Sequence, residues 1–577
     1  MDERLARLEA QLEQLTCRLA ALEQRLSTLE AATAVPRRVP VAAGEPTVTG
    51  RLPGLLASEA GAIVALIGRT LVVLAGAYLL RALTDSGMLA TRPGMLCGLA
   101  FALVWIVMAG RSGGAARSLS ATFHGIAFVL IAFPLVFELT TRFHFLDPRG
   151  AAAGLGGLAG AALLVAAGRR LHGLAWVTTL GALATAAFLM LETSEVGPFA
   201  VFLVLLGVVT LWLGHGLDWT LLRWPVALAV DLAGLILAGR AGSFGAADSV
   251  STAVAVQLLL LFGYLGSVAA RTLFQNRPII PFEVVQSAGA IVVGLGGAAY
   301  LASRTGMGGL PLGLGTLALA ATCYDLGATV IERRQGRGRT FYAYTSAALV
   351  FGLAGLPLVA LGPPLAVAYA ALGLAGAWAG RLTGRVLFQA HGAVALLAAV
   401  LVSRLITRVL YGLGLPAAPD GAPSLAMLLV LALCVAGTWG LGFPSPAGSP
   451  VLVARVPRLV VMVLALGGLL GVVAGWLAPA LAQGTAHGLH PGMLATLRTG
   501  LLVSSVLLLA GASRTLGFVE GAWLTYPLLL LTGLKFAFED FRAGEPATLF
   551  LGFGLYGLAL ILGPWLCRRT GGTKVGC

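Results

Sequence analysis

Residues 197–240 read GPFAVFLVLLGVVTLWLGHGLDWTLLRWPVALAVDLAGLILAGR, two apolar segments joined by a short polar turn. A helix of ~20 apolar residues, rising ~1.5 Å per residue, crosses the ~30 Å hydrocarbon core of a bilayer. The stretch therefore predicts two membrane-spanning helices, near 197–214 and 221–240. Because the second span crosses the membrane, Arg223 near its start and Arg240 at its end are expected on opposite sides.

The same pattern recurs along the chain and predicts an all-α polytopic transmembrane helical bundle of about eighteen spans with short loops. Hydrophobic residues make up 58% of the chain and charged residues 11%, against ~25% charged in soluble proteins. The longest loop on the side away from the termini is expected at 405–423, too short for a folded domain. The predicted spans are 59–82, 94–110, 120–140, 150–168, 171–191, 197–214, 221–240, 250–270, 282–302, 308–331, 341–361, 363–380, 386–404, 424–442, 457–480, 491–512, 515–534 and 546–566.

Basic residues are distributed unevenly between the two sides of this bundle. With a cytoplasmic N-terminus, 19 arginines and lysines lie on the cytoplasmic side and 10 on the other. Cytoplasmic loops carry the excess of positive charge, so both termini are expected in the cytoplasm. The 36 arginines against 2 lysines indicate a GC-rich bacterial genome. We therefore expect a multi-pass protein of the bacterial cytoplasmic (inner) membrane, whose net charge of +14 contacts anionic membrane lipids and not nucleic acid.

Residues 1–34 carry a leucine heptad. Arginine at three g positions is followed by glutamate at the next e positions, an arrangement that favours parallel self-association. The alternative is a lone amphipathic helix on the membrane, although surface helices usually carry a wider apolar stripe. We predict a cytoplasmic coiled-coil helix that forms a homo-oligomer. Its seam consists of leucines at every a and d position: Leu5, Leu8, Leu12, Leu15, Leu19, Leu22, Leu26 and Leu29.

Composition also predicts where the linker, the helical bundle and the C-terminal tail begin and end. Residues 35–58 contain four prolines without apolar periodicity, which predicts an extended Pro-containing linker. The transmembrane helical bundle is expected over 59–567, and residues 568–577 form a cytoplasmic tail.

Glycine is abundant, at 78 residues, roughly twice its usual share. Lipid provides little hydrophobic drive for helix association, so close approach over small residues is the expected packing device. Hinges in a moving transporter are the alternative. The clearest glycine steps at four-residue spacing are Gly467, Gly471 and Gly475, then Gly156 and Gly160, then Gly376 and Gly380.

Ionisable residues at membrane depth are the candidates for a ligand or ion pathway, because a charge is costly in hydrocarbon and usually faces a partner or water. Structural ion pairs are the alternative, and Arg69 with Asp231 is the expected pair because both lie near mid-depth. His124 and His391, near helix ends, are expected to be satisfied structural histidines. The candidates are Arg69, Asp231, Asp325, Arg498 and Glu520.

Arg404 and Arg408 are spaced to share one helix face on the outer side of the predicted bundle. Such side chains extend to the interface to keep their charge in water, or they hold an anionic head group. The first interpretation is favoured.

Several kinds of chemistry lack their sequence motifs. The chain has no G-x-x-x-x-G-K-[ST], H-E-x-x-H or G-x-S-x-G motif, which disfavours ATP-driven transport and hydrolysis by those routes. The six cysteines show no C-x-x-C and no paired spacing. No metal, cofactor or catalytic residue is therefore predicted.

Two stretches resemble a known family. One is Ile67-Gly68-Arg69 with Gly76, Leu80 and Gly87, followed by Arg92-Pro93-Gly94, after the coiled coil and proline linker. The other is Lys535-Phe536-Ala537-Phe538-Glu539-Asp540, followed by a glycine-rich last span and Arg568-Arg569. The chain resembles the bacterial polytopic membrane proteins called domain of unknown function 2339. The resemblance implies many helices, short loops and an inner-membrane location, and it implies no site residues.

The function expected from these features is non-enzymatic. Buried ionisable residues favour a transporter of a small or lipid-linked solute, whereas the coiled coil favours a self-associating envelope scaffold. The alternative is a membrane enzyme that acts on a lipid-linked sugar at the outer face. Its available groups would be Asp85, Arg92, Arg404, Arg408, Glu539 and Asp540.

Overall fold

The computed structural model describes residues 90–111, 118–243, 249–306, 308–417, 421–440, 451–482, 490–515 and 519–567, with isolated positions between 68 and 88. The chain divides into two units, Met1–Gly76 and Ala77–Cys577, and the described ranges belong to the second. The predicted coiled-coil seam, the linker, the span at 59–82, and Arg69 and Asp85 lie outside the described residues. All regular secondary structure within the described ranges is helical.

Eighteen helices account for these ranges. They are α1 Thr91–Arg111, α2 Ser118–Thr141, α3 Pro148–Arg169, α4 His172–Thr193, α5 Gly197–Gly216, α6 Arg223–Ala241, α7 Val250–Leu273, α8 Pro281–Thr305, α9 Gly309–Gln335, α10 Arg339–Val359, α11 Pro363–Thr383, α12 Val386–Val402, α13 Leu405–Gly412, α14 Leu425–Gly440, α15 Val451–Leu481, α16 Pro491–Thr515, α17 Val519–Ala543 and α18 Pro546–Cys567.

Fifteen of these helices are long and apolar enough to cross a membrane. Each coincides with a span predicted from hydropathy, because the length of an apolar segment is a local property of the sequence. The helical bundle of a multi-pass membrane protein is thereby confirmed. The exact number of spans stays a prediction.

The predicted span 386–404 departs from a straight helix. Helix α12 ends at Val402, Arg404 adopts a left-handed conformation with φ of 59°, and α13 leaves at 98° to α12. The prediction of a loop over 405–423 is therefore wrong for its first eight residues. They form a helix because Leu405 and Val409, both fully buried, pack an apolar face against the bundle.

Glycine packing holds α13 in place. A Cβ on Gly471 of α15 would overlap the carbonyl oxygen of Arg408, and one on Gly467 would lie 2.9 Å from that of Val409. Gly376 and Gly380 allow a similar approach of α11 to the backbone of α12. These glycines confirm the small-residue packing prediction. The predicted pair Gly156 and Gly160 is confirmed at one position only. A Cβ on Gly156 would contact the ring of Phe202, whereas nothing lies within 4 Å of a Cβ on Gly160.

Three π-helical segments interrupt α8, α9 and α17, at Ile291–Leu295, Leu326–Ile331 and Phe536–Asp540. Such segments are rare and often occur at functional sites. Two of them contain or adjoin charged residues. Asp325 directly precedes the second segment, and the third contains Glu539 and Asp540.

Candidate functional site

Four charged residues of α16 and α17 meet at one end of the bundle, where Arg498 also binds the end of α13, the helix that carries Arg408. We call Arg408, Arg498, Lys535, Glu539 and Asp540 the charged cluster. Helix α13 contributes the first, α16 the second and α17 the other three. The prediction had placed only Arg498 among the pathway candidates.

Lys535 is fully engaged inside the cluster. Its Nζ donates to the carbonyl oxygen of Ala495 at 2.5 Å, to Thr499 Oγ1 at 2.7 Å and to Asp540 Oδ2 at 2.6 Å. An ammonium group has three donors, and all three are used. The partner carboxylate lies five residues along the chain, and the π-helical register of Phe536–Asp540 places residues at that spacing over one another.

Arg498 ties α16 to the end of the short helix. One Nη donates to Glu539 Oε1 at 2.5 Å, while the other donates to the carbonyl oxygens of Tyr411 at 3.0 Å and Leu415 at 3.1 Å. The guanidinium also lies 4.3 Å from the centroid of the Tyr411 ring. The carbonyls at the end of α13, which lack partners within the helix, thus receive charged donors. The buried Nε of Arg498 has no partner among the described residues.

Arg408 has a different environment. Its residue surface is 1% exposed, and its Nη2 donates to the carbonyl oxygen of Gly421 at 2.6 Å. A Cβ on Gly475 would lie 2.7 Å from its Nη1, so the glycine makes room for the guanidinium. No described carboxylate lies within ion-pair distance of it. Among the described residues, the cluster holds three cations and two carboxylates, and Arg408 is the cation without a described carboxylate partner.

The prediction that Arg404 and Arg408 share a face and extend to the interface is wrong. Arg404 is exposed at the break between α12 and α13, whereas Arg408 is buried beneath α15. The reason is the left-handed turn at Arg404, which interrupts the helical register that the four-residue spacing assumed.

The other candidates do not join the cluster. Asp231, half-buried on α6, accepts a hydrogen bond from Gln286 Nε2 at 3.2 Å and lies against Gly289 of α8. Its predicted pairing with Arg69 stays a prediction, since Arg69 lies outside the described residues. Asp325 is exposed on α9.

Glu520 lies at the other end of α16 and α17 from the cluster. Its carboxylate is 3.4 Å from Arg458 Nη1 and 3.9 Å from Arg455 Nε. The candidates thus occupy separate places in the bundle, because α6, α9 and α16 are not mutual neighbours in the described fold.

Two further polar groups lie elsewhere in the bundle, and the first of them was not predicted from the sequence. Glu283, 1% exposed, pairs with Arg271, and His215 Nε2 lies 3.1 Å from its other oxygen without hydrogen-bond alignment. This group fixes the start of α8, where Glu283 also accepts from the backbone of Ile280. Tyr324 and His391 Nδ1 lie 2.9 Å apart, in agreement with a satisfied structural histidine.

Two of the three carboxylates named for the enzyme alternative accept hydrogen bonds from other side chains, and the third, Asp85, lies outside the described residues. Asp540 accepts from Thr499 as well as Lys535, and Glu539 accepts from Arg498. Arg92 begins α1, which packs against α2 and α3 and lies in a different part of the bundle. Among the described residues no group of His, Cys, Asp and Glu is arranged to hold a metal ion.

Comparisons of the chain with family models, curated proteins and solved structures find no match. The resemblance to domain of unknown function 2339 therefore stays a prediction.

Proposed function

We propose that this protein is a non-enzymatic membrane transporter whose solute, small or lipid-linked, carries an oxyanion that binds at the charged cluster. The observation that carries the proposal is Arg408, a buried cation without a carboxylate partner in the described structure, on a helix that breaks at 98°. Secondary transporters commonly bind their solutes where a helix is interrupted, because unwound backbone and helix ends there provide polar groups.

The chemistry of the cluster favours an oxyanion. A guanidinium presents a planar fork of donors that matches phosphate or carboxylate oxygens. The Nε of Arg498 is a second buried donor without a described partner. Lys535 and Asp540 satisfy each other, so they support the site without needing a ligand.

The competing functions have less support. An enzyme needs a carboxylate free to exchange a proton, and both carboxylates of the cluster accept hydrogen bonds from cations. A scaffold function is supported by the predicted coiled coil of residues 1–34. It does not explain why Arg408 is buried without a described carboxylate partner. Self-association through residues 1–34 is compatible with transport.

Accessibility of α13 tests the proposal. All six cysteines are replaced by serine, and one cysteine is introduced at Thr407, an exposed position on α13. In oriented vesicles, a transporter that alternates its access should expose Thr407→Cys to an impermeant maleimide added on either side. A short-chain polyprenyl phosphate or inorganic phosphate should slow the labelling.

Ser504→Cys provides the matched control. Ser504 is exposed near the middle of α16, so its thiol should face lipid and react from neither side. If Thr407→Cys were labelled from one side only under every condition, transport would be contradicted. Helix α13 would then stay accessible from that one side of the membrane.

A further inference from the structure

A second set of cations lies at the end of the bundle opposite the charged cluster. Arg381 is near the end of α11, Arg455 and Arg458 are near the start of α15, and Glu520 is near the start of α17. We call these three arginines the arginine rim. Two of them share the carboxylate of Glu520, which lies 3.4 Å from Arg458 and 3.9 Å from Arg455.

The rim carries more positive than negative charge. Glu332, the other described acid near the end of α11, is occupied by Arg385 at 2.5 Å and Arg337 at 2.8 Å. The adjoining stretches 441–450 and 516–518 read LGFPSPAGSP and LGF, and they contain no ionisable side chain. Two guanidinium groups therefore lie beside one carboxylate, and Arg381 adds a third positive charge near Arg458, which favours binding of a further anion.

Helix α14 determines where that anion would lie. Its described part, Leu425–Gly440, ends among the arginines of the rim. The last described carbonyls accept from the rim: Trp439 from Arg381 at 2.9 Å, and Thr438 from Arg458 at 3.1 Å. An anion bound by these arginines would therefore lie beside the last described turn of α14.

Exposed tryptophans indicate that the rim faces lipid head groups. Trp439 is 70% exposed at the end of α14. Arg381 lies 5.4 Å from the ring of Trp378, and Arg455 lies 5.3 Å from the ring of Trp523, both also exposed. Tryptophan is enriched at the membrane–water interface, where its ring lies at the level of the head groups. These rings flank the guanidinium groups on the outer surface of the bundle, where a lipid reaches them directly.

We propose that Arg381 and Arg455 bind the phosphate of an anionic phospholipid over the end of α14. Both side chains are partly or fully exposed, and their described protein contacts leave further donors available to the lipid. The bound phosphate relieves the repulsion among the three arginines. Arg458 contributes by holding Glu520 and the carbonyl of Thr438. This site is separate from the charged cluster and does not depend on transport.

Lipid retention by the full chain tests the proposal. The protein is reconstituted in nanodiscs of phosphatidylcholine with increasing phosphatidylglycerol, and bound lipid is counted by native mass spectrometry. Wild type should retain phosphatidylglycerol in preference to phosphatidylcholine. Arg455→Gln, which gives up the 3.9 Å contact with Glu520 and the contact with the Trp523 ring, should weaken this retention about tenfold, as expected for the loss of one charge-assisted contact with the lipid.

Arg333→Gln is the matched control, because Arg333 is exposed on α9 and the charge change is the same. Its retention of phosphatidylglycerol should equal that of wild type. If Arg455→Gln is poorly folded, Arg455→Lys keeps the charge and should show an intermediate loss. Equal retention in wild type and Arg455→Gln would overturn the proposal, as would an equal loss in Arg333→Gln. Displacement of the lipid by millimolar inorganic phosphate would instead identify a site for a soluble anion.

Discussion

Lys535 is one of two lysines in a chain with 36 arginines, and its surroundings explain the choice. The space accepts a compact ammonium whose three donors point at three oxygens. A planar guanidinium has five donors and a larger head, which this fully buried position cannot accommodate without displacing Thr499 or Asp540. The rarity of lysine was therefore a signal in the sequence that could have pointed to the charged cluster.

Removal of this ammonium should be strongly destabilising. Lys535→Ala leaves the 3%-exposed Asp540 without its cation, so the free energy of unfolding should fall by ~3–5 kcal/mol. Adding Asp540→Asn should recover part of the loss, because the buried charge is then absent. Thermal unfolding in detergent of the two single variants and the double variant measures the coupling between the residues.

Arg542→Gln is the control for that measurement. Arg542 is exposed two residues beyond the third π-helical segment, and its replacement should change stability by less than ~0.5 kcal/mol. If Lys535→Ala were no worse than Arg542→Gln, or if the double variant lost the sum of the two single losses, the ion pair would not be present.

The short helix α13 is held by the glycine face of α15. Eight residues are too few for an isolated helix to be stable, so its burial must come from packing. Gly471 receives the backbone of Arg408, and Gly475 receives its guanidinium. The buried position of Arg408 is thus a consequence of two glycines on a neighbouring helix.

A methyl group at Gly471 should displace α13. Gly471→Ala would overlap the carbonyl oxygen of Arg408, and the forced shift should cost ~1–3 kcal/mol in thermal unfolding. Gly160→Ala is the same change within α3, where nothing lies within 4 Å of the new atom. Since alanine is the better helix former, that variant should be unchanged or more stable by up to ~1 kcal/mol. Equal effects of the two substitutions would mean that α13 does not approach α15 this closely.

Self-association through the leucine seam, which lies outside the described residues, stays a prediction at the scale of the whole molecule. Leu12→Asp with Leu19→Asp places charge at two a positions and should abolish oligomerisation of the full chain. With the other five cysteines replaced by serine, a long-armed bifunctional maleimide at Cys17 should cross-link wild type but not this variant. Gln14→Asp with Ala21→Asp, at outward c positions, adds the same charge and should cross-link normally. Unchanged cross-linking in the seam variant would refute the coiled coil.

The sequence by itself determined the class of the protein and the places of its described spans. A run of apolar residues is long enough to cross a bilayer whatever its neighbours are, so hydropathy located helices such as α5 and α6 directly. Glycine spacing also predicted the packing face of α15, since close approach needs small residues at regular intervals.

Only the tertiary structure decided which charges meet. Arg498 and Glu539 lie 41 residues apart, and nothing local to either indicates that α16 and α17 bring them into contact. The burial of Arg408 was likewise beyond the sequence, because it depends on a left-handed turn at Arg404 and on space beside Gly475. Helix neighbours in a membrane are selected by packing between distant segments, and the four-residue spacing of two arginines carries no information about that choice.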